Sequence, residues 1–425
     1  MGRFIGIAGY LLLLGILALL SSNRRKINIR TVVSGILLQF SIALLLIKWR
    51  DGAEAVKWVA DKVASFLNLT DHGTEFLFGN LVKPELMETV GFQFAFKVLP
   101  VIIFFSAFMA ILYYLGIMQL VVEAFAWVMS KLMQTSGAES LSCSANIFVG
   151  QTEAPLIVKP FLNDATTSEL ATIMIGGFGT IAGSVMAGYI MMGIPAHYII
   201  IASTMAAPTS LMVGKILFPE EGTPLTAGKV KIPKIDAGVN LLDAASRGTS
   251  DGLHLALNVA AMLIAFITLI AFVDIILGYL DRLIDGRLLG GALLQNGEYG
   301  GIFPGSLKTL FGNIFSPLVY LMGVPTQDVK VVGHLLGLKI ASNEFVAYSE
   351  LAPLIKSSSI LPKSQLIATF MLCGFANFAS IGIQIGGIGA LAPDRRSDLA
   401  RLGLKTMIGG AIVSCLTACI AGIIY

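Results

Sequence analysis

Three carboxylates, Glu153, Glu344 and Glu350, stand in otherwise apolar stretches of this 425-residue chain. Around them lie neutral donors and acceptors: Asn146, Gln151 and Thr152 near the first, Asn343 beside the second, and Asn377 and Ser380 further on. Neither Gly150-Gln151-Thr152-Glu153 nor Ser342-Asn343-Glu344 contains Arg or Lys. A phosphate or dicarboxylate would therefore find no counter-charge there. Carboxylates beside amides and hydroxyls suit a neutral polyhydroxylated solute carrying a flat heterocycle, which Phe375 or Phe178 could pack against. An intramembrane enzyme using Glu153 and Glu344 as an acid/base pair is the competing chemistry, and it lacks a nucleophile or a metal set. His197, His254 and His334 are isolated, and Cys143, Cys373, Cys415 and Cys419 sit in apolar runs with the spacing of small buried hydrophobes. Glu350, toward the end of its segment, is as well explained by structural pairing as by function.

The elements that hold these groups are set by composition. Hydrophobic residues make up 56% of the chain and charged ones 13%, against roughly 25% in soluble domains. Mean hydropathy is +0.82. A cytosolic enzyme, a disordered tail and a secreted disulfide scaffold are all excluded, and the lipid bilayer is the expected solvent. The net charge is only +3 and the basic residues are scattered, so nothing points to a nucleic-acid surface. Eight apolar stretches are candidate spans: 4–20, 32–47, 98–118, 170–192, 198–218, 255–280, 366–391 and 402–425. Arg24, Arg25, Lys26 and Arg30 follow the first span, so that loop is cytoplasmic and both termini face outward. The same parity puts Lys215, Lys229, Lys231, Lys234 and Arg247, and later Arg395, Arg396, Arg401 and Lys405, on the cytoplasmic side.

That agreement requires that two apolar segments, 138–162 and 329–355, do not cross. Each is interrupted by its polar tip and reads as two half-helices of about ten to fourteen residues that enter and leave on one side. Val56, Val59, Val63 and Phe66 predict an amphipathic helix in the interface, with similar helices over 121–133 and 307–322. The stretch 219–236 reads as a solvated loop.

An internal repeat locates the chemistry. An offset of 197 carries Asn146 onto Asn343, Phe148 onto Phe345, Val149 onto Val346, Glu153 onto Glu350, Lys159 onto Lys356 and Gly177-Phe178 onto Gly374-Phe375, without a gap. The copies begin from opposite sides, so they form an inverted repeat, and transporters of that architecture hold the solute where the repeats meet. The glycine-rich stretches 176–184 and 374–380 then follow the two tips. Close helix packing is one account of them; local unwinding that frees carbonyls for an ion, with Asn377 and Ser380 facing a ligand, is the sharper one. The fold class is all-α, with eight spans, two re-entrant hairpins and interfacial helices.

The segments Asn146-Ile-Phe-Val-Gly-Gln-Thr-Glu-Ala-Pro155, Asn343-Glu-Phe-Val-Ala-Tyr348 and Cys373-Gly-Phe-Ala-Asn377 closely resemble the signatures of the concentrative nucleoside transporters, in their eight-span bacterial form. The resemblance implies cation-coupled nucleoside symport by alternating access, with uridine as a typical substrate, in a homotrimer of the plasma (inner) membrane. It implies a scaffold from residues 1–135 and 219–325 and a mobile transport domain from the two repeats, 136–218 and 326–425. Carried over by position, it puts the nucleobase against Gln151, Thr152 and Glu153, lined by Gly150 and Val185 with Phe375 nearby. The ribose would meet Glu344, Asn377 and Ser380. Sodium would sit at Asn146, Val149, Thr180 and Ile181. Thr180 stands where relatives carry Ser and keeps the hydroxyl; a proton is the alternative coupling ion, and another neutral polar solute, such as an amino acid, the alternative cargo.

Overall fold

The computed structural model describes residues 2–83, 93–228, 231, 238–294 and 297–425. Among the described residues the regular structure is helical apart from a lone antiparallel bridge between Leu293 and Tyr299. Nineteen α-helices are described there, in order. They are α1 Gly2–Leu20, α2 Ile29–Ala43, α3 Arg50–Leu67, α4 Thr70–Phe78, α5 Phe94–Lys97, α6 Leu99–Tyr114, α7 Ile117–Met133, α8 Gly137–Ala145, α9 Ala154–Ile157 and α10 Thr167–Gly179. Then come α11 Gly183–Met191, α12 Ala196–Leu217, α13 Leu241–Asp281, α14 Leu307–Leu321, α15 Val329–Ala341, α16 Glu344–Lys356, α17 Pro362–Leu372, α18 Phe378–Leu391 and α19 Arg396–Ile424.

Many starts are dictated by side chains that satisfy the first free N–H groups. Ser136 with Glu139 and Thr166 with Glu169 form capping boxes at α8 and α10. Asn240, Asn343 and Asn377 cap α13, α16 and α18. Among the described residues six helical stretches are long and apolar enough to cross a membrane: Ile29–Lys48, Phe94–Tyr114, Thr167–Met191, Ala196–Leu217, Leu241–Leu288 and Pro393–Ile424. Phe4–Leu20 and Phe378–Leu391 are apolar but shorter. The sixth expected span begins earlier than its apolar run suggests, because the Asn240 cap starts one 41-residue helix that carries both the polar 241–251 segment and the apolar stretch.

At the centre, α10, α12 and α17 pack on α19, so the two repeats interlock instead of standing apart. Around them α6 pairs with α13, α14 with α15, α1 with α19 and α2 with α12. The expected surface helices are α3, α7 and α14. Helix α3 exposes Trp58 and Val59, whereas α14 lies along α15 and buries Gly312 and Val319. Lys229, Lys234 and most of 229–236 lie outside the described residues.

One feature differs from the sequence reading. The first hairpin is asymmetric: its first arm is the nine-residue α8, but its second arm is only the four-residue α9 and a 3-10 turn, Lys159–Phe161. Pro155 sits in the first turn of α9, where a proline is tolerated, whereas Pro160 lacks the N–H that would bond back to Leu156 and crowds Lys159, which favours ending the helix before it. The second hairpin has two thirteen-residue arms, α15 and α16. The stretches 170–192 and 366–391 are broken at 180–182 and at 373–377, as the unwinding reading of the glycine-rich stretches expects.

Candidate transport site

The site is assembled where four irregular stretches meet: the tip of each hairpin and the break in each following helix. The breaks hold each other, since the Phe375 N–H donates to the Thr180 carbonyl at 3.1 Å. The Gly183 N–H donates to Phe148 O at 3.0 Å, tying the first tip to the first break. Irregular backbone at this depth is thus satisfied within the protein, the condition for keeping it away from lipid.

Glu344 is the first residue of α16 and is 4% exposed. Its carboxylate accepts from Tyr189 OH at 2.9 Å and from Asn377 Nδ2 at 3.4 Å. The N-terminus of α16 lies at Glu344 itself, and Asn377, whose Oδ1 receives Ser380 N–H at 2.9 Å, brings the N-terminus of α18 beside it. Helix N-termini carry partial positive charge, so the anion stands where two such ends converge. Gln151 crosses from the first tip to the same place: its Nε2 donates to Ser380 Oγ at 3.3 Å and its Oε1 accepts from Gln384 Nε2 at 3.1 Å. Gln384 also donates to Met174 O at 3.1 Å. Gly177 makes room for this pair, because a Cβ there would lie 2.7 Å from Gln384 Nε2 and 2.9 Å from Gln151 Cβ.

The remaining expected residues fall elsewhere. Gly150 and Glu153 line a cavity of about 280 Å³ between the first hairpin, α6 and the start of α13, with Tyr113, Arg247 and Asp251 on its far wall. Thr152 is half-buried, its methyl against Gly387 of α18. Phe375 is half-buried at the break. Val185 is buried in the core, and the neighbouring Ser184 lines the cavity in its place. Glu350 pairs with His334 at 2.8 Å. The four cysteines are free and buried.

Of the four residues expected at the cation, Val149 lines the cavity beside Gly150, Ile181 is buried in the core, and Asn146 and Thr180 both neighbour Gly176. Asn146 is fully buried, donates through Nδ2 to Ser142 O at 3.0 Å, and leaves Oδ1 without a partner. Ser142 Oγ, one turn before it, is buried and unpartnered too. A Cβ on Gly176 would lie 3.3 Å from Asn146 Nδ2, and the Gly176 carbonyl accepts from Thr180 Oγ1 at 2.7 Å, so both side chains border Gly176. Orphaned buried oxygens are rare, and a small hard cation is an oxygen-seeking partner for them. Among the described residues no three His, Cys, Asp or Glu gather to hold a metal ion, so amide, hydroxyl and carbonyl oxygens are the donors available.

Tyr189, Gln384, Ser142 and Lys339 are site residues that sequence reasoning missed. Gln384 and Lys339 had a visible signal, a polar side chain alone in an apolar helix.

Comparison with known proteins decides the class. Residues 198–422 match the family profile of the Na+ dependent nucleoside transporter C-terminus, 8–81 that of its N-terminus, and 95–196 the nucleoside recognition "Gate" profile. The chain belongs to the Na+ dependent nucleoside transporter family. It is a transporter and not an enzyme. An uncharacterized transporter of Haemophilus influenzae is 44% identical over 421 residues, 98% of this transporter and 96% of that one. The sodium/nucleoside cotransporter 1 of Rattus norvegicus is 40% identical over 438 residues, 100% of this transporter but 64% of the rat protein's length. Among solved structures, CNTnw in an inward-facing substrate-bound state is 39% identical with a TM-score of 0.90, covering 100% of this transporter and 98% of that chain. A doubly substituted CNTnw in an outward-facing state gives 0.91 at 38% identity, over 100% and 99%. The match to both is consistent with one transporter that alternates.

Proposed function

We propose that this transporter is a sodium-coupled nucleoside symporter whose solute lies between the two hairpin tips. The observation that carries the reading is the convergence of Gln151, Ser380, Asn377 and Glu344 across the repeat interface. Glu344, Asn377 and Ser380 would hold the ribose hydroxyls, while Gln151, Thr152 and Glu153 hold the base, with Gly150 and Phe375 beside it. Val185 supports this wall from behind. Sodium at Asn146, Val149, Thr180 and Ile181 would order the first tip, so that Gln151 is presented only when the ion is bound. The cavity that reaches Gly150 and Glu153 at the beginning of α13 is the candidate path to the cytoplasm.

In this reading residues 136–218 and 326–425 move as one body against a scaffold of 1–135 and 219–325. The long face of α13 exposes Ile264, Phe272, Ile275 and Tyr279, which suits lipid and neighbouring protomers of a homotrimer in the plasma (inner) membrane, both termini outward. One monovalent cation gains about 2.3 kcal/mol per 100 mV, and a tenfold ion gradient adds roughly 1.4 kcal/mol. Together these sustain accumulation on the order of 500-fold.

Uptake of radiolabelled uridine and adenosine into proteoliposomes, under an imposed sodium gradient and then a proton gradient, tests the reading. Sodium-driven concentrative uptake is expected. Equal accumulation under a proton gradient alone would replace the coupling ion, and failure of any nucleoside to compete for binding would remove the substrate class. Asn377→Ala should abolish uptake while leaving the oligomer intact.

A further inference from the structure

The two repeats share a backbone plan but differ in where positive charge stands. The offset that superposes their motifs carries Ser142 onto Lys339, Met174 onto Met371 and Thr180 onto Asn377. In the first repeat, Ser142 Oγ and Asn146 Oδ1 are buried and unpartnered. In the second, the equivalent amide oxygen, Asn343 Oδ1, is satisfied by the Val346 N–H at 2.9 Å. At the Ser142 position stands Lys339, 0% exposed, with Nζ 2.8 Å from Met371 O and 2.6 Å from Ser414 Oγ.

Both of those acceptors are neutral, and an ammonium has three protons to place. A buried charge so served is costly unless an opposite charge offsets it. The charge available is Glu344, five residues on across the tip of the second hairpin, where Tyr189 and Asn377 hold it. Tyr348, Cys373 and Cys415 are the other titratable groups near Lys339 and Glu344. The second repeat thus places a lysine of its own chain where the first presents buried oxygens without a partner.

We propose that Lys339 is the tethered counterpart, in the second repeat, of the cation that the first repeat takes from solution. It is a positioning residue: it offsets Glu344, keeps that carboxylate available to the solute, and leaves only the first repeat dependent on a dissolved ion. The inference rests on the sodium-coupled reading above. It extends that reading by assigning the charge of the second half-site to the chain itself.

The test is uridine binding to purified full-length protein by calorimetry across sodium concentrations at constant ionic strength, for wild type, Lys339→Ser, Lys339→Met and Lys339→Arg. Linkage makes the slope of log affinity against log sodium count the ions taken up with the solute. Wild type should give a slope of about one. Lys339→Ser, which restores the first repeat's side chain, should bind weakly at low sodium, recover at high sodium and give a slope near two. Lys339→Met should lose about tenfold or more in affinity at every sodium concentration, and Lys339→Arg should stay within a few-fold of wild type. Wild-type affinity and slope in Lys339→Ser, or loss without a steeper slope, would overturn the inference. Should Lys339→Ser fail to fold, equal losses in the Met and Arg variants would overturn it, and retention in Arg alone would support it. A sodium-independent wild type would instead bring down the coupling reading on which the inference stands.

Discussion

Lys215→Met isolates the largest buried charge contact outside the solute site. Lys215 Nζ lies 2.8 Å from Glu139 Oε2, 3.0 Å from Glu220 Oε2 and 2.9 Å from Ser168 Oγ, so one ammonium ties the end of α12 to the first hairpin and to α10. The Glu139 side chain is 0% exposed and that of Lys215 8%. Removing the lysine leaves a fully buried carboxylate without its cation, a loss of about 3–5 kcal/mol. The other Glu139 oxygen keeps its bond from Ser136 N–H at 2.8 Å, so the cap of α8 survives and the cost is mainly electrostatic. Glu139→Gln should cost less, because Lys215 keeps Glu220 Oε2 at 3.0 Å and Ser168 Oγ at 2.9 Å. The double variant should be more stable than the two losses added, by about 2 kcal/mol, because neither charge remains. Glu221→Gln, which weakens the exposed contacts of Glu221 with Lys26 at 3.8 Å and Asn23 Nδ2 at 2.7 Å, is the control and should cost under about 1 kcal/mol. Chemical unfolding in detergent, followed by tryptophan fluorescence, measures all four. Lys215→Met within about 1 kcal/mol of wild type, or strictly additive single losses, would refute the cross-brace.

Three further outcomes are expected. Glu344→Gln replaces charged hydrogen bonds to two hydroxyls by neutral ones, a loss of about 2–4 kcal/mol, and should weaken uridine binding roughly 30- to 1000-fold in a protein that still assembles; an unchanged dissociation constant would remove the ribose contact. Gly177→Ala puts a methyl against Gln384 and Gln151, and should cost about 1–3 kcal/mol of uridine affinity through their displaced bond; wild-type binding would show that this pair does not order the tip. Just past the C-terminal end of α12, part-burial of Glu220 pushes its carboxyl upward. The Lys215 ammonium and bonds from Gly222 and Thr166 prevail and hold it below its ordinary 4.5. A carboxyl lowered in the folded state contributes stability that is present above 4.5 and lost as pH falls further. The melting temperature should therefore drop with acid below that point in wild type and drop less in Glu220→Gln, and superimposable curves would count against the link.

Much of the architecture was legible before any coordinates. Hydropathy and the placement of Arg and Lys pointed to a bilayer and a topology, and the recurrence of Asn, Glu, Lys and Gly-Phe at one offset pointed to the two tips and the two breaks. That worked because a charge or amide at membrane depth is expensive, so each exception to apolarity marks a place with a reason. The expected residues then divided. Gln151, Glu344, Asn377 and Ser380 converge, whereas Glu153 turns to the cavity with Gly150 and Val185 is packed behind. Local signals also misjudged the first hairpin, where Pro160 shortens the second arm.

Residue type and spacing alone pointed to a membrane transporter whose chain repeats itself at a fixed offset, with few charges to spare and polar residues gathered at the repeated tips. Only the tertiary structure decided which polar groups answer one another. Tyr189 reaches Glu344 across 155 residues, Gln384 reaches Gln151 across 233, and Lys339 finds Met371 and Ser414 while Ser142 and Asn146 are left with free oxygens. Such pairings depend on which helix faces meet after the repeats interlock, and a periodic apolar sequence fixes the faces of each helix without fixing which neighbour each face will find.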